Sequence, residues 1–115
     1  MEIKVSKNTD DIYLVELSGA LDLYSSEQLK DLVMKMIEKK AERFIMSLGE
    51  VDRVNSSGIG ALIFVSSTLK KLKCPLVIIV PEGPVMNALE ITRLKGYFTI
   101  ASNLKEAIAL ARKVE

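Results

Sequence analysis

The segment that most restricts the fold of this chain is a short apolar run at residues 76–80, LVIIV, which lies between Pro75 and Pro81. A strand without polar side chains has no face to turn toward water. Such runs are typical of strands that are covered on both faces, as in the parallel sheets of α/β proteins. The run therefore predicts that other parts of the chain pack on both sides of a central strand.

The remaining apolar patterns supply the other elements of such a fold. They predict strands at residues 3–7, 12–18, 44–48 and 98–101, the first two forming a hairpin. They also predict helices at residues 25–41, 55–72 and 84–94, and a last one from 103 onward. Two strands followed by repeated helix–strand units indicate an α/β fold with a mixed β-sheet of about four to five strands and about four helices. The length of 115 residues suits one domain spanning residues 1–115.

Local signals predict where these elements begin and end. Ser25 with Gln28, and Asn103 with Glu106, have the spacing of capping boxes that open helices. Gly19 is expected to end the second strand. Residues 49–54, which include Glu50 and Asp52, are expected to form a loop.

The charge balance argues against a nucleic-acid-binding protein. Charged residues make up 27% of the chain and the net charge is +1, so no general basic surface is available to neutralise phosphates. The basic clusters are short and lie near predicted helix ends, where they complement the helix dipole: Lys39, Lys40 and Arg43, and Lys70, Lys71 and Lys73. The start of the chain has no apolar signal region and no run is long enough to span a bilayer. We therefore expect a soluble, cytoplasmic protein that binds no membrane.

The absence of histidine restricts the chemistry. It excludes Ser-His-Asp and Cys-His nucleophile arrangements, histidine-ligated metals and histidine phosphocarriers. The single cysteine, Cys74, excludes an intramolecular disulfide and a cysteine-rich metal site, and is interpreted as a small, partly buried side chain. We therefore expect no enzyme activity, no cofactor and no metal.

One segment, residues 54–62, combines features that need an explanation. Asn55 and Ser56 are both good N-cap residues, and Gly58 and Gly60 follow within the first turns of a predicted helix. Each glycine there costs about 1 kcal/mol relative to alanine. One interpretation is a bare backbone that a partner approaches closely, beside exposed hydroxyls. The other is ordinary capping serines with glycines that fit against a neighbouring strand. A phosphate-binding loop is disfavoured, because the Lys-Ser/Thr ending of a P-loop is missing.

Two segments carry a resemblance to a known family. Residues 50–62, EVDRVNSSGIGAL, and residues 17–22, LSGALD, resemble the signature segments of STAS domains. The resemblance covers essentially the whole chain and is greatest to the stand-alone bacterial anti-sigma factor antagonists. It implies a single STAS-like domain. This chain departs from the family pattern at Asn55, where the best-known antagonists have Asp, and at Ala20, where a Glu is usual.

The resemblance also implies particular site residues. The phosphoacceptor would be Ser56, the serine directly after Asn55, with Ser57 as the second choice, and Asp22 would lie beside Ser56. The implied partner-binding residues are Asp22, Asn55, Ser56, Ser57, Gly58, Ile59 and Gly60.

The function that the resemblance implies is a binding switch. The unphosphorylated protein, a monomer when free, would bind an ATP-dependent serine-kinase anti-sigma factor and release the sigma factor. The kinase would then phosphorylate Ser56, and a protein serine phosphatase would reverse this. An alternative is a STAS scaffold or ligand-sensing subunit without regulated phosphorylation. A phosphotransfer receiver is disfavoured, because the predicted strand at 44–48 ends at Gly49 without the Asp that a receiver needs.

Overall fold

The computed structural model describes residues 1–8 and 10–113, so Thr9 of the predicted hairpin turn and the last two residues lie outside the description. The elements in chain order are β1 (Glu2–Lys7), β2 (Ile12–Leu21), α1 (Leu23–Glu38), β3 (Arg43–Val54), α2 (Ser56–Lys71), β4 (Leu76–Ile79), α3 (Pro84–Ile91), a short 3-10 turn (Lys95–Tyr97), β5 (Ile100–Ala101) and α4 (Leu104–Lys113). This arrangement confirms the predicted α/β fold with a mixed sheet.

The five strands of the sheet follow the chain order β1-β2-β3-β4-β5. The strands β1 and β2 form the expected antiparallel hairpin, and every later pair is parallel. Parallel neighbours end at the same edge of a sheet. The carboxyl ends of β2 and β3 therefore lie side by side, and α1 and α2 both begin at that edge.

Helices cover both faces of the sheet. One apolar cluster joins α1, α2 and α3 to the sheet through residues that include Val15, Phe44 and Ile78. A second, smaller cluster joins α4 to the opposite face through Ile45, Val77 and neighbouring residues. Successive side chains of a strand point to opposite faces, so Val77 and Ile78 enter different clusters. Residues 77–80 are buried and Leu76 is half-buried, which confirms the prediction that this run is covered on both faces.

Two expectations about strand ends were wrong. Residues 49–54 are not a loop but the second half of β3, where Glu50, Val51, Arg53 and Val54 pair with β2. Gly19 does not end β2 but lies inside it, with φ of +94° next to a shift in strand register. A shift of this kind is a β-bulge, which lets the strand continue after a local change of direction. The side chain of Val51 is buried while Glu50 and Asp52 on either side are exposed, so this half of β3 contributes one fully buried side chain to the core.

The start of α1 also differs from the prediction. The N-cap is Asp22, whose carboxylate accepts a hydrogen bond of 3.0 Å from the Ser25 backbone, and the Ser25 hydroxyl accepts one of 2.8 Å from the Asp22 backbone. This reciprocal pair replaces the expected box of Ser25 and Gln28. Ser25 and Ser26 are both buried within the helix, so neither can form its exposed end.

The starts of α2 and α4 agree with the prediction, whereas the ends of α1 and α3 differ from it. Asn55 caps α2 and Asn103 accepts a hydrogen bond of 2.9 Å from the Glu106 backbone at the start of α4, as expected. The helices α1 and α3 end about three residues earlier than predicted, before Lys40 and Arg93, because these residues have positive φ values that a right-handed helix does not accommodate.

Candidate functional site

The residues that the resemblance singled out gather at the shared carboxyl edge of β2 and β3. The Asn55 backbone donates a hydrogen bond of 3.3 Å to the carbonyl of Leu21, which ties the start of α2 to the end of β2. A cleft of about 480 Å³ opens at this edge. Its lining includes Asp22, Arg53 and Asn55, together with Pro84 and Ala88 of α3. Asp22 and Asn55, distant in sequence, thus share one cleft.

The start of α2 leaves two hydroxyls unused. The Asn55 side chain accepts a hydrogen bond of 3.1 Å from the Gly58 backbone and so caps the helix. Within residues 1–8 and 10–113, neither the Ser56 nor the Ser57 hydroxyl makes a hydrogen bond. Ser56 is exposed and Ser57 is half-buried. Ser56 is therefore the hydroxyl that a second molecule reaches more easily.

The two glycines of α2 have different surroundings. Gly58 is buried, and a Cβ atom placed on it would lie less than 3.0 Å from the carbonyl oxygen and Cγ of Leu21 and from Cγ2 of Val54. Gly60 is exposed, and a Cβ there would meet nothing within 4 Å. The close packing of α2 on β2 explains why residue 58 is a glycine, since a larger residue would not fit there. The expectation that both glycines leave the backbone bare for a partner therefore does not hold at Gly58. Ile59 is likewise buried and faces the core.

The carboxylate of Asp22 is held in its charged form. Hydrogen bonds from the Ser25 backbone and then from the Ser25 hydroxyl lower the pKa of this carboxyl from its usual 3.8. Hydrogen bonds to the charged form have this effect because protonation would weaken them. Asp22 and Asn55 both line the cleft, and Ser56 does not. The observed role of the Asp22 side chain is to cap α1.

The second half of β3 adds exposed charges to the same edge. Asp52 and Arg53 both line the cleft and form an exposed ion pair, with 3.8 Å between the Arg53 Nε and an Asp52 carboxylate oxygen. Glu50 is also exposed on this stretch of strand. The cleft therefore has two carboxylates, those of Asp22 and Asp52, and one guanidinium.

Two exposed apolar residues beside the cleft were missed by the sequence reasoning. Leu23 and Tyr24 directly follow Asp22 and are 67% and 77% exposed. Their position is out of phase with the buried residues of α1, which include Ser25, Ser26 and Leu29. That mismatch with the helical period was a signal for surface exposure. Large apolar side chains exposed next to a polar cleft are typical of protein-binding surfaces.

The start of α2 at this edge is suited to hold an anion. Ser56 presents a free hydroxyl at the positive end of a helix dipole, where a phosphate would be stabilised. The nearest cap, Asn55, has an amide and not a carboxylate, and its oxygen already accepts a hydrogen bond.

No cluster of three or more His, Cys, Asp or Glu that could hold a metal occurs in the described part of the chain. Among those same residues, no helix is long and apolar enough to cross a membrane.

Comparison with known proteins agrees with this geometry. The anti-sigma factor antagonist BtrV of Bordetella bronchiseptica, named provisionally as such, is 27% identical over 104 residues, which are 90% of this chain and 89% of BtrV. The fold matches an anti-sigma factor antagonist from Mycobacterium paratuberculosis with a TM-score of 0.86 and 18% identity, over 97% of this chain and 94% of that one. It also matches the Bacillus cell fate determinant SpoIIAA in its phosphorylated form, with a TM-score of 0.72 and 19% identity, over 95% and 98% of the two chains. The STAS domain model matches residues 4–107, nearly the whole chain, and the protein therefore belongs to the STAS domain family.

Proposed function

We propose that this protein is an anti-sigma factor antagonist that is switched by phosphorylation of Ser56. Unphosphorylated, it binds an ATP-dependent serine-kinase anti-sigma factor and causes release of the sigma factor. The kinase phosphorylates Ser56, which ends binding, and a protein serine phosphatase restores the starting state. The observation that carries this proposal is the exposed Ser56 hydroxyl in the first turn of α2, which Asn55 leaves free of any capping role. Solved STAS relatives support it, since SpoIIAA is known in both unphosphorylated and phosphorylated forms.

The position of Ser56 explains how a phosphate can change binding without unfolding the protein. A phosphate adds about −1.5 to −2 charges at neutral pH. At the amino end of α2 the helix dipole favours this charge, so the helix remains folded. At the surface, the phosphate joins the carboxylates of Asp22 and Asp52 at one edge of the sheet. A partner that fits the neutral hydroxyl would then have to desolvate a concentrated negative charge, and its affinity falls.

The exposed pair Leu23 and Tyr24 gives the partner an apolar anchor beside the phosphorylation site. Aromatic and large apolar side chains account for much of the binding energy of protein interfaces. Neither residue belongs to the buried core of the domain. Replacing Tyr24 by alanine is therefore expected to weaken partner binding by about tenfold or more, with little change in the melting temperature.

The first test is phosphorylation by a candidate kinase anti-sigma factor with ATP, followed by intact-mass measurement and site mapping. We expect one phosphate, on Ser56, in the unaltered protein and in Ser57→Ala, and none in Ser56→Ala. Phosphate on Ser57 alone would move the site but keep the mechanism. If a kinase binds the protein tightly and ATP leaves its mass unchanged, the switch is refuted and a scaffold role is favoured.

The second test compares binding and folding in the same variants. Ser56→Ala should bind the kinase whether or not ATP is present, because it cannot be phosphorylated. Ser56→Asp should bind poorly while its melting temperature stays near that of the unaltered protein. Ser6→Asp, an exposed serine on β1, is the matched control for added charge and should bind normally. Equal affinities of Ser56→Asp and Ser6→Asp would contradict the proposed effect of charge at this position.

A further inference from the structure

A second cavity lies at the end of the sheet opposite to Ser56. Its volume is about 270 Å³, and it forms where the carboxyl end of α2 meets the start of β4 and the segment before β5. The start of β4 pairs with the start of β3, since Leu76 lies opposite Phe44, whereas the Ser56 edge is at the far end of β3. The helix α2 runs from Ser56 to Lys71, and a helix rises about 1.5 Å per residue, so its length separates Ser56 from Lys70 by about 20 Å. The cavity therefore cannot belong to the cleft beside Asn55.

The walls of this cavity are positively charged. Lys70 and Lys73 line it, and none of the aspartates or glutamates within residues 1–8 and 10–113 does. In the part of the chain that the structure describes, neither lysine forms an ion pair or a hydrogen bond through its side chain. The thiol of Cys74, also in the lining, stays neutral, because burial and, to a lesser extent, the nearby Glu42 carboxylate raise its pKa. Among the described residues, two unpaired cations thus line a cavity that no carboxylate lines, and Glu42 is a carboxylate near its Cys74 wall.

Helix capping alone does not account for both lysines. Lys70 and Lys71 lie in the last turn of α2, where cations complement the dipole. Lys73 lies beyond the helix with φ of +59°, and Lys71 does not line the cavity. The end of a helix has only about half an elementary negative charge. Together with the nearby Glu42 carboxylate, this is less than the two full positive charges of Lys70 and Lys73, so the cavity remains positive.

The remaining walls combine hydroxyl groups with apolar surface. Ser66 and Thr99 contribute hydroxyls, and Pro75 and Leu76 contribute an apolar floor. The ring of Tyr97 forms a further wall whose position is fixed on two sides. Its hydroxyl lies 3.2 Å from the Ser67 Oγ, and its ring meets Phe98 edge-on at a centroid distance of 5.1 Å. Tyr97 thus has contacts with α2 and with Phe98 without any ligand.

We propose that this cavity binds a small organic anion, a molecule with one phosphate or carboxylate group and a compact apolar body. The charged group lies between the Lys70 and Lys73 ammonium groups, and the apolar body lies against Tyr97, Pro75 and Leu76. The volume is near the lower end of the range of about 300–1,000 Å³ for ligand pockets, which suits a molecule of the size of a substituted benzene ring. This binding site goes beyond the proposed phosphorylation switch and does not depend on it.

The first test is a titration of the ¹⁵N-labelled full chain with phenyl phosphate, followed by amide chemical shifts. Saturable shifts are expected at the cavity residues Cys74, Leu76 and Thr99. The double variant Lys70→Gln with Lys73→Gln should weaken binding by about tenfold or more, since hydrogen bonds to charged groups are among the strongest. Lys39→Gln with Lys40→Gln is the matched control, because these residues follow α1 as Lys73 follows α2, and Lys40 also has a positive φ. Equal affinity in the two double variants, or no saturable shift, would overturn the proposal.

Further ligands test the charged group and the apolar body of the proposed molecule one at a time. Benzoate in place of phenyl phosphate identifies which anionic group is preferred, and binding of either supports the site. Benzyl alcohol, which has the ring without the charge, should bind more weakly than both. If benzyl alcohol binds as tightly as the anions, the cationic site is refuted. If inorganic phosphate binds as tightly as phenyl phosphate, the proposed contact of an apolar body with Tyr97, Pro75 and Leu76 is refuted.

Cys74 gives an independent readout, because it is the one cysteine of the chain and lines the cavity. Its alkylation by neutral iodoacetamide should slow when phenyl phosphate is present. The ratio of its alkylation rates with anionic iodoacetate and neutral iodoacetamide reports the local potential. This ratio should fall in Lys70→Gln with Lys73→Gln and stay unchanged in Lys39→Gln with Lys40→Gln. An unchanged ratio in the first double variant would show that the two lysines do not act on the cavity.

Discussion

Gly58 and Gly60 lie two residues apart in α2, yet they have opposite constraints. Gly58 is enclosed by Leu21 and Val54, whereas Gly60 faces open space. The sequence presents both as the same departure from helix propensity. Only the position of α2 relative to β2 shows that Gly58 has no room for a side chain and that Gly60 has.

Alanine at each glycine should therefore have effects of opposite sign. Gly58→Ala forces its new methyl group against the Leu21 carbonyl and should destabilise the domain by about 1–3 kcal/mol. Gly60→Ala should stabilise it by about 0.5–1 kcal/mol, because alanine favours the helix and meets no neighbour. Urea denaturation of the two variants measures both values. Equal stabilities would show that α2 can move away from β2 at little cost.

Asn55 and Ser56 are neighbours whose sequence signals overlap, since both are good caps. The structure assigns the cap to Asn55, which leaves Ser56 for contact with a partner. Asn55→Ala should therefore lower the free energy of unfolding by about 1 kcal/mol. Ser56→Ala should change it by less than about 0.5 kcal/mol. Denaturation curves that rank the two variants in the reverse order would mean that Ser56 caps α2, and the hydroxyl would then not be free.

At the scale of elements, α4 shows how small residues set the distance between a helix and a sheet. Ala107 and Ala111 are fully buried against the second apolar cluster, where Ala101 of β5 is also buried. The Arg43 guanidinium donates a hydrogen bond of 2.7 Å to the Ala111 carbonyl, which ties the end of α4 to the start of β3. The helix can approach the sheet closely because its inner side chains are methyl groups.

Enlarging this inner face should separate α4 from the sheet. Ala107→Leu adds volume to a filled space and should destabilise the domain by about 1–3 kcal/mol. Ala109→Leu is the matched control, because Ala109 is exposed on the same helix, and it should change stability by less than about 0.5 kcal/mol. The urea midpoints give the comparison. If Ala107→Leu is as stable as the control, the packing of α4 is looser than the structure describes.

At the scale of the whole molecule, the sheet separates two places with different chemistry. The carboxyl ends of β2 and β3 present Ser56 and the acidic cleft, and the start of β4 presents the cavity with Lys70 and Lys73. Because parallel strands share one direction, groups at the two ends of such strands are kept apart by the full strand length. The proposed partner surface and the proposed anion site can thus be occupied at the same time.

This separation predicts that changes at the two ends act independently on stability. The effect of Asn55→Ala and the effect of Lys70→Gln with Lys73→Gln should add within about 0.5 kcal/mol when combined, as is usual for distant sites. Urea denaturation of the separate and combined variants measures the sum. A larger deviation would indicate that the two ends are coupled through β3.

The sequence by itself determined the features that depend on local pattern. The doubly buried strand at 76–80, the helical period of α1 and α2 and the Asn55 cap follow from side-chain periodicity and short-range hydrogen bonding, which act over a few residues. These features were enough to predict the fold class, the order of the elements and the helix that begins at Ser56.

Tertiary structure decided the features that depend on neighbours distant in sequence. Half of residues 49–54 are charged, yet the segment forms a strand because β2 pairs with Glu50, Val51, Arg53 and Val54. Gly58 is required because the Leu21 carbonyl lies where a Cβ would be. Lys70, Lys73 and Tyr97 form one cavity because α2 ends where β4 begins and where the chain leads into β5. Each of these three features depends on a backbone or side chain that is distant in sequence and close in space. The order of the elements and the periodicity of the side chains do not give the distance between such groups.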